Sequence, residues 1–238
     1  MEKSDYIKKI SIWIFIIPVL AINLCLFISV NYYLLDDTIF ELSEIGKIGF
    51  TIPYIDGGVS ISRTARNFPT YLIFKPAMII TSIVLIKYWV ANNNLIKSIN
   101  KASENKKFLT FGVLSAVFLI LHSIFLGVHF DNDLYKLFRR FILLAFILFE
   151  IIAQGLLVIT LFKIKEKIIN IINNKVLYLK MALVTLLAIV AIASIPIVSS
   201  PGNTQFKHAL EWNYFIGVIL FYLLTFFFWR KSQKNQKF

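Results

Sequence analysis

Long apolar runs, each bounded by a cluster of polar and charged residues, set the rhythm of this chain. Six windows are long and apolar enough to cross a bilayer, whose core of about 30 Å needs roughly 20 mostly apolar residues per helix. They are residues 10–33, 72–90, 108–130, 141–162, 181–200 and 212–229. Together they use up most of the 238 residues and leave no room for a separate soluble domain. The pattern predicts an all-α protein with one domain over residues 1–238, an integral membrane bundle of six helices. The first window follows Lys8 and Lys9 like a signal peptide, but it is too long for one and no small-x-small cleavage pattern follows it. It reads as an uncleaved anchor.

Between the windows the longest connection is the loop at 36–70, too long to be a mere link. Within it "IPYIDGGVSIS" places an Asp-Gly-Gly turn between short β-prone runs, which predicts a small hairpin-like flap. After the fourth window, "KIKEKIINIINNKVLYLK" spaces Ile164, Ile168, Ile171 and Ile172 helically among lysines. Either a basic amphipathic helix lies on the membrane surface there, or the fourth helix runs on past the headgroups.

Composition agrees with the pattern: 58% of residues are hydrophobic and only 16% charged, where soluble domains carry about a quarter charged. The net charge of +12 raises the question of nucleic acid, and its distribution answers it. With the N-terminus inside, cytoplasmic segments hold sixteen Lys and Arg against seven in the outer loops, while most acids, from Asp36 to Glu211, lie outside. This is the positive-inside bias, and it predicts both termini in the cytoplasm. The basic balance then serves topology and anionic headgroups, not nucleic acid. The single Cys25 lies within the first window, so no intramolecular disulfide can form.

Glycine-rich phosphate loops, zinc-binding His-Glu-x-x-His pairs, Cys-x-x-Cys pairs and nucleophile elbows are absent from the sequence. No cofactor is implied. Any chemistry falls to polar residues in or beside the helices. Glu150, near the middle of the fourth window, is costly at that depth and calls for a partner inside the bundle. Gln154 follows at i+4 on the same face. His122, at a similar depth on the third window, is the expected partner, either as an acid/base pair or as a buried hydrogen bond that fixes packing. His122, His129 and Ser115 share one stripe. His129, His208 and Glu211 fall on the outer half and are the candidate acid/base residues, but no pair has a diagnostic metal spacing, so no metal site is assigned. Arg63, Arg66 and Asn67 lie beside the second window at headgroup depth. The planar fork of arginine suits a lipid phosphate, or else pairs with Asp36, Asp37, Glu41 or Glu44 to hold the loop down.

The segment "ISRTARNFPTYLIF" (61–74) resembles, without gaps, the first-loop signature of the Frag/DRAM/Sfk family of six-span membrane proteins. Ile61, Ser62, Thr64, Pro69, Ile73 and Phe74 match as they stand. Glu211-Trp212 followed by "FYLLTF" (221–226) is similar to that family's ending. Arg63 replaces a usual acid, Ala65 a glycine and Thr70 a glutamate. The resemblance implies six spans with cytoplasmic termini and a lipid-facing role; family members are linked to autophagy modulation and to remodelling of GPI-anchor lipids. Three functions follow as expectations. The first is a non-enzymatic protein that binds or organises membrane lipids, with Arg63 and Arg66 on a headgroup phosphate and His208 and Glu211 on its polar atoms. The second is a lipid-remodelling enzyme using His129, His208 and Glu211. The third is a proton-coupled transporter using Glu150 and His122.

Overall fold

A computed structural model of the chain describes residues 3–99, 106–128 and 132–230, without the side chains of Asp133 and Lys136. Among these residues the order is α1 (Lys3–Val30), a 3-10 turn (Tyr32–Leu35), α2 (Ile61–Ala65), α3 (Tyr71–Ile99), α4 (Lys107–Phe125) and α5 (Asp133–Lys163). Then come α6 (Lys165–Ile168), a second 3-10 turn (Ile169–Ile171), α7 (Asn174–Ser199) and α8 (Thr204–Phe228). The six long helices are each long and apolar enough to cross a membrane. They begin earlier than their apolar windows because a helix continues until a cap or breaker stops it, not where hydrophobicity ends. Asn173, for example, accepts a bond from the Lys175 amide and starts α7 seven residues before the apolar window does.

Each long helix packs antiparallel against its neighbours in sequence, and α8 returns to α1 to close the ring. Large side chains fill the interior, among them Trp89, Phe108, Trp212, Tyr222 and Phe228. The outward faces are apolar too: Leu20, Leu24 and Phe27 on α1, Leu144 and Leu148 on α5, and Ile189 and Ile192 on α7 are all exposed. Buried polar residues (Ser115, Glu150, Gln154, Lys180, Thr225) occupy the ring's centre. A soluble bundle would expose its polar groups instead; lipid around the ring accounts for the inversion. The chain is an integral, multi-pass membrane protein.

Small residues set the tightest approach. Gly112 on α4 lies against the indole of Trp89, where a Cβ would come within 2.3 Å of Cδ2. At the end holding the termini, the Ile172–Trp229 bridge, Asn173 N–H to Phe228 O (2.9 Å) and Arg230 N–H to Ile171 O (3.0 Å) tie the end of α8 to the α5–α7 connection. That connection is a compact turn burying Ile164, Ile168 and Ile172. Its short helix and 3-10 turn expose Glu166 and Lys167 opposite the buried isoleucines, and Ile164 separates it from the end of α5.

The flap expected in the 36–70 loop forms no strands among the described residues. The Asp-Gly-Gly turn is present, but a side chain closes it rather than a ladder. Asp56 accepts from the Thr51 hydroxyl (2.6 Å) and from the amides of Ile52 and Gly58 (2.8 Å each). A carboxylate that takes these donors locally leaves none for cross-strand pairing. The loop then enters α2, where Ser60 accepts from the Arg63 amide as N-cap.

Candidate functional site

Two polar centres emerge, one deep in the ring and one at the loop end, opposite the termini. The deep centre begins with Glu150, wholly buried on α5 midway between Leu137 and Lys163. Its Oε1 accepts from the Tyr222 hydroxyl of α8 and from the Gln154 amide (3.0 Å). Its Oε2 lies 2.5 Å from the Ser115 hydroxyl of α4. Gln154 uses its second amide hydrogen on the Val218 carbonyl (3.1 Å) and so bridges α5 to α8 across the ring. The i+4 partnership of Glu150 and Gln154 is therefore present as expected. The interhelical partner is different. Ser115, seven residues before His122 on the same stripe of α4, takes the contact, because α4 sits about two turns off the register that equal depth implied. His122 instead lies towards the loop end, within the field of Arg139.

Beside this centre stands a residue that charge counting had assigned to a cytoplasmic loop. Lys180 is wholly buried on α7. Its Nζ donates to Thr225 Oγ1 (2.7 Å) and sits 3.9 Å from the centroid of the Phe221 ring. Thr225 also meets the Tyr88 hydroxyl of α3 (3.2 Å), and the Tyr88 ring packs edge-on against Tyr222 at 5.0 Å. Among these partners only Gln154 and Ser115 were singled out from sequence. Lys180 could have been found there from its position within one turn of an apolar window. Tyr88, Tyr222 and Thr225 carry no such signal, since tyrosine and threonine are ordinary in helices that span membranes.

At the loop end, the start of α8 clamps the long loop. Trp212 donates its indole N–H to Val59 O (2.8 Å), Asn213 donates to Tyr54 O (2.7 Å), and His208 Nδ1 meets Gly57 O (3.0 Å). The Glu211 carboxylate takes the amides of Ile61 and Ser62 at the start of α2. Tyr54 stacks edge-on to Trp212 (4.9 Å) and reaches Asn23 of α1 (3.0 Å); burial pushes its hydroxyl up from the ordinary value. Gly57 is required here twice over, with φ of +60° and a backbone so close to α8 that a Cβ would lie 1.7 Å from Gln205 O. The stretches 61–74 and 211–212, read separately in the sequence, are thus one structural unit. His208 and Glu211 serve the loop backbone within it. Their expected companion His129 lies outside the described residues.

The clamp presents cations. Arg63 is exposed at the end of α2, with its carbonyl accepting from Asn67 Nδ2 (3.3 Å). Arg66 is partly buried, and Gly127, at φ +80°, closes over its carbonyl from the end of α4. Burial first, and then the charges of Arg139 and Arg63, hold the Arg66 guanidinium below its usual value. Arg66 therefore stands in the field of Arg63 on the loop and of Arg139 on α5. The internal salt bridges expected with the loop acids do not form among the described residues. Lys47 takes Glu44 (2.8 Å) and Glu41 (3.9 Å) instead, which raises the Lys47 ammonium through its bond to Glu44. No carboxylate pairs with Arg63, Arg66 or Arg139 among the described residues. No group of three or more metal-ligating side chains occurs among those residues either.

No protein-family model, curated protein or solved structure matches the chain.

Proposed function

We propose that this membrane protein binds and organises membrane lipids, without catalysing a reaction, by taking anionic headgroups at the loop end of its bundle. The observation that carries the reading is Arg66, partly buried within the field of both Arg63 and Arg139, with no carboxylate ion-paired to any of the three among the described residues. Like charges gathered without an internal counterion are favourable only when an anion joins them, and a planar guanidinium matches a phosphate with two parallel donors. Their place at the end of the spanning helices puts that anion at headgroup depth. The cytoplasmic excess of lysine and arginine orients the termini inward and this cluster outward.

His208, Glu211 and Trp212 contribute by position: they fix the loop to α8 so that Arg63 and Arg66 are held in place rather than swept through solvent. The resemblance of 61–74 and 211–212 to the Frag/DRAM/Sfk signature supports the same lipid-facing role. Phospholipid extracted from protein purified in mild detergent tests the reading. Wild type is expected to retain anionic phospholipid, and R63A/R66A to retain markedly less at equal protein. Equal retention would overturn it.

A further inference from the structure

The long loop divides by charge. Residues 36–47 carry Asp36, Asp37, Glu41, Glu44 and Lys47, whereas residues 48–60 carry Asp56 alone. In this second half Val59 is wholly buried and Tyr54 packs on Trp212. Three of its large apolar side chains stay outside all the same: Phe50 is 86% exposed, Ile55 81% and Ile52 48%.

The bonds of this half fix its depth. The Ile48 amide donates to Ser29 O (3.0 Å), at the end of α1. The Tyr54 hydroxyl then donates to Asn23 Oδ1 (3.0 Å), seven residues, or about 10 Å, inside the end of α1 at Val30. The Tyr54 carbonyl accepts from Asn213 Nδ2 (2.7 Å), nine residues, or about 14 Å, inside the start of α8 at Thr204. Gly57 is back beside Gln205, on the first turn of α8. The chain thus dips alongside the spanning helices, below their ends, before it returns. Asn213 is exposed, and Leu20 and Phe27, about a turn to either side of Asn23 on one stripe of α1, belong to the lipid-facing surface. Phe50, Ile52 and Ile55 continue that surface.

Irregular backbone at this depth is tolerated where its polar groups find partners within the protein. Here the turn and α8 supply them. The Ile55 and Asp56 amides donate to the Ile52 carbonyl (2.8 and 3.0 Å), and the Asp56 carboxylate takes the Ile52 and Gly58 amides. Pro53 has no amide to place, and the Tyr54, Gly57 and Val59 carbonyls meet Asn213, His208 and Trp212. We infer that residues 50–55 are a re-entrant anchor, with Phe50, Ile52 and Ile55 set in the leaflet at the loop end, at the boundary of headgroups and acyl chains. A stable protein partner needs about 800 Å² on each side, more than three side chains offer, whereas a leaflet takes apolar side chains singly. The anchor does not depend on what Arg63 and Arg66 bind.

Power-saturation electron paramagnetic resonance of the full chain in phosphatidylcholine vesicles tests this, with a nitroxide on single cysteines in a C25S background. Oxygen concentrates in hydrocarbon and a neutral nickel chelate in water, so their relative effect reports what surrounds the label. The label at I55C is expected to behave like one at L24C, on the lipid-facing side of α1, with oxygen relaxing it several-fold more than nickel. S43C, in the charged half of the loop, is expected to show the reverse. The replaced side chains are exposed, and F50C gives the same reading if I55C fails to fold. Nickel access at I55C equal to that at S43C would overturn the proposal. Exclusion of both reagents there, the mark of a second copy of the chain or another protein on the patch, would overturn it too.

Discussion

Trp212 donates its indole N–H to the carbonyl of Val59, 2.8 Å away and 153 residues earlier in the chain. This bond joins the last spanning helix to the long first loop. Replacing Trp212 with phenylalanine keeps the ring stack on Tyr54 but loses the donor, leaving a buried carbonyl unpaired at a cost of about 1–3 kcal/mol. W212F is expected to lower the melting temperature and to speed proteolysis within 36–70. Unchanged cleavage would show that the loop is held by other means.

Gly57 makes a sharper test of the same clamp. Any side chain there must adopt φ of +60° and displace Gln205 O, which a Cβ would approach to 1.7 Å. G57A is expected to cost more than the about 1 kcal/mol of left-handed strain alone. Its loop amides should exchange with solvent faster than those of wild type, while amides of α3 to α5 remain protected.

How much of this was legible in the sequence depended on which physical signal carried it. The six spans followed from apolar length, and the buried Glu150–Gln154 pair from depth and i+4 spacing. The partner of Glu150 did not, because depth along two helices leaves their relative shift free by a turn or more; Ser115 and His122 share a stripe, and packing chose Ser115. Lys180 was counted with the loop cations because a charge near the edge of an apolar window reads as its boundary. No hairpin ladder forms because the side chain of Asp56 closes the turn that β-propensity assigns to paired strands. The arginines were legible as a phosphate candidate, but Arg139 joined them only through the fold.

Gly112 allows α3 and α4 to meet over Trp89. G112A places a methyl group 2.3–2.5 Å from indole atoms, and overpacking of this kind costs roughly 1–3 kcal/mol. A lower melting temperature with a changed tryptophan emission spectrum is expected. Wild-type stability would mean that the indole can move aside freely.

Asp56 gives the loop a dependence on pH. The Thr51 hydroxyl first, and then the Gly58 and Ile52 amides, hold its carboxyl below the ordinary carboxylate value. A depressed folded value stabilises the turn above the unfolded value, and the contribution is lost as pH falls through the folded one. The Ile52 and Gly58 amides should thus stay protected at neutral pH and open only in acid below the usual carboxylate range. Asp56→Asn should remove that acid step in hydrogen exchange.

The claim that the loop end takes anionic headgroups is tested most directly by native mass spectrometry of the full chain with phosphatidylglycerol and with phosphatidylcholine, comparing wild type with R63A/R66A/R139A. A guanidinium bond to phosphate contributes about 1.5 kcal/mol or more, roughly tenfold in affinity for each arginine engaged. Wild type is expected to bind phosphatidylglycerol in preference to phosphatidylcholine, and the triple variant to lose that preference while keeping its fold. Equal binding of phosphatidylglycerol by the two proteins would contradict the account.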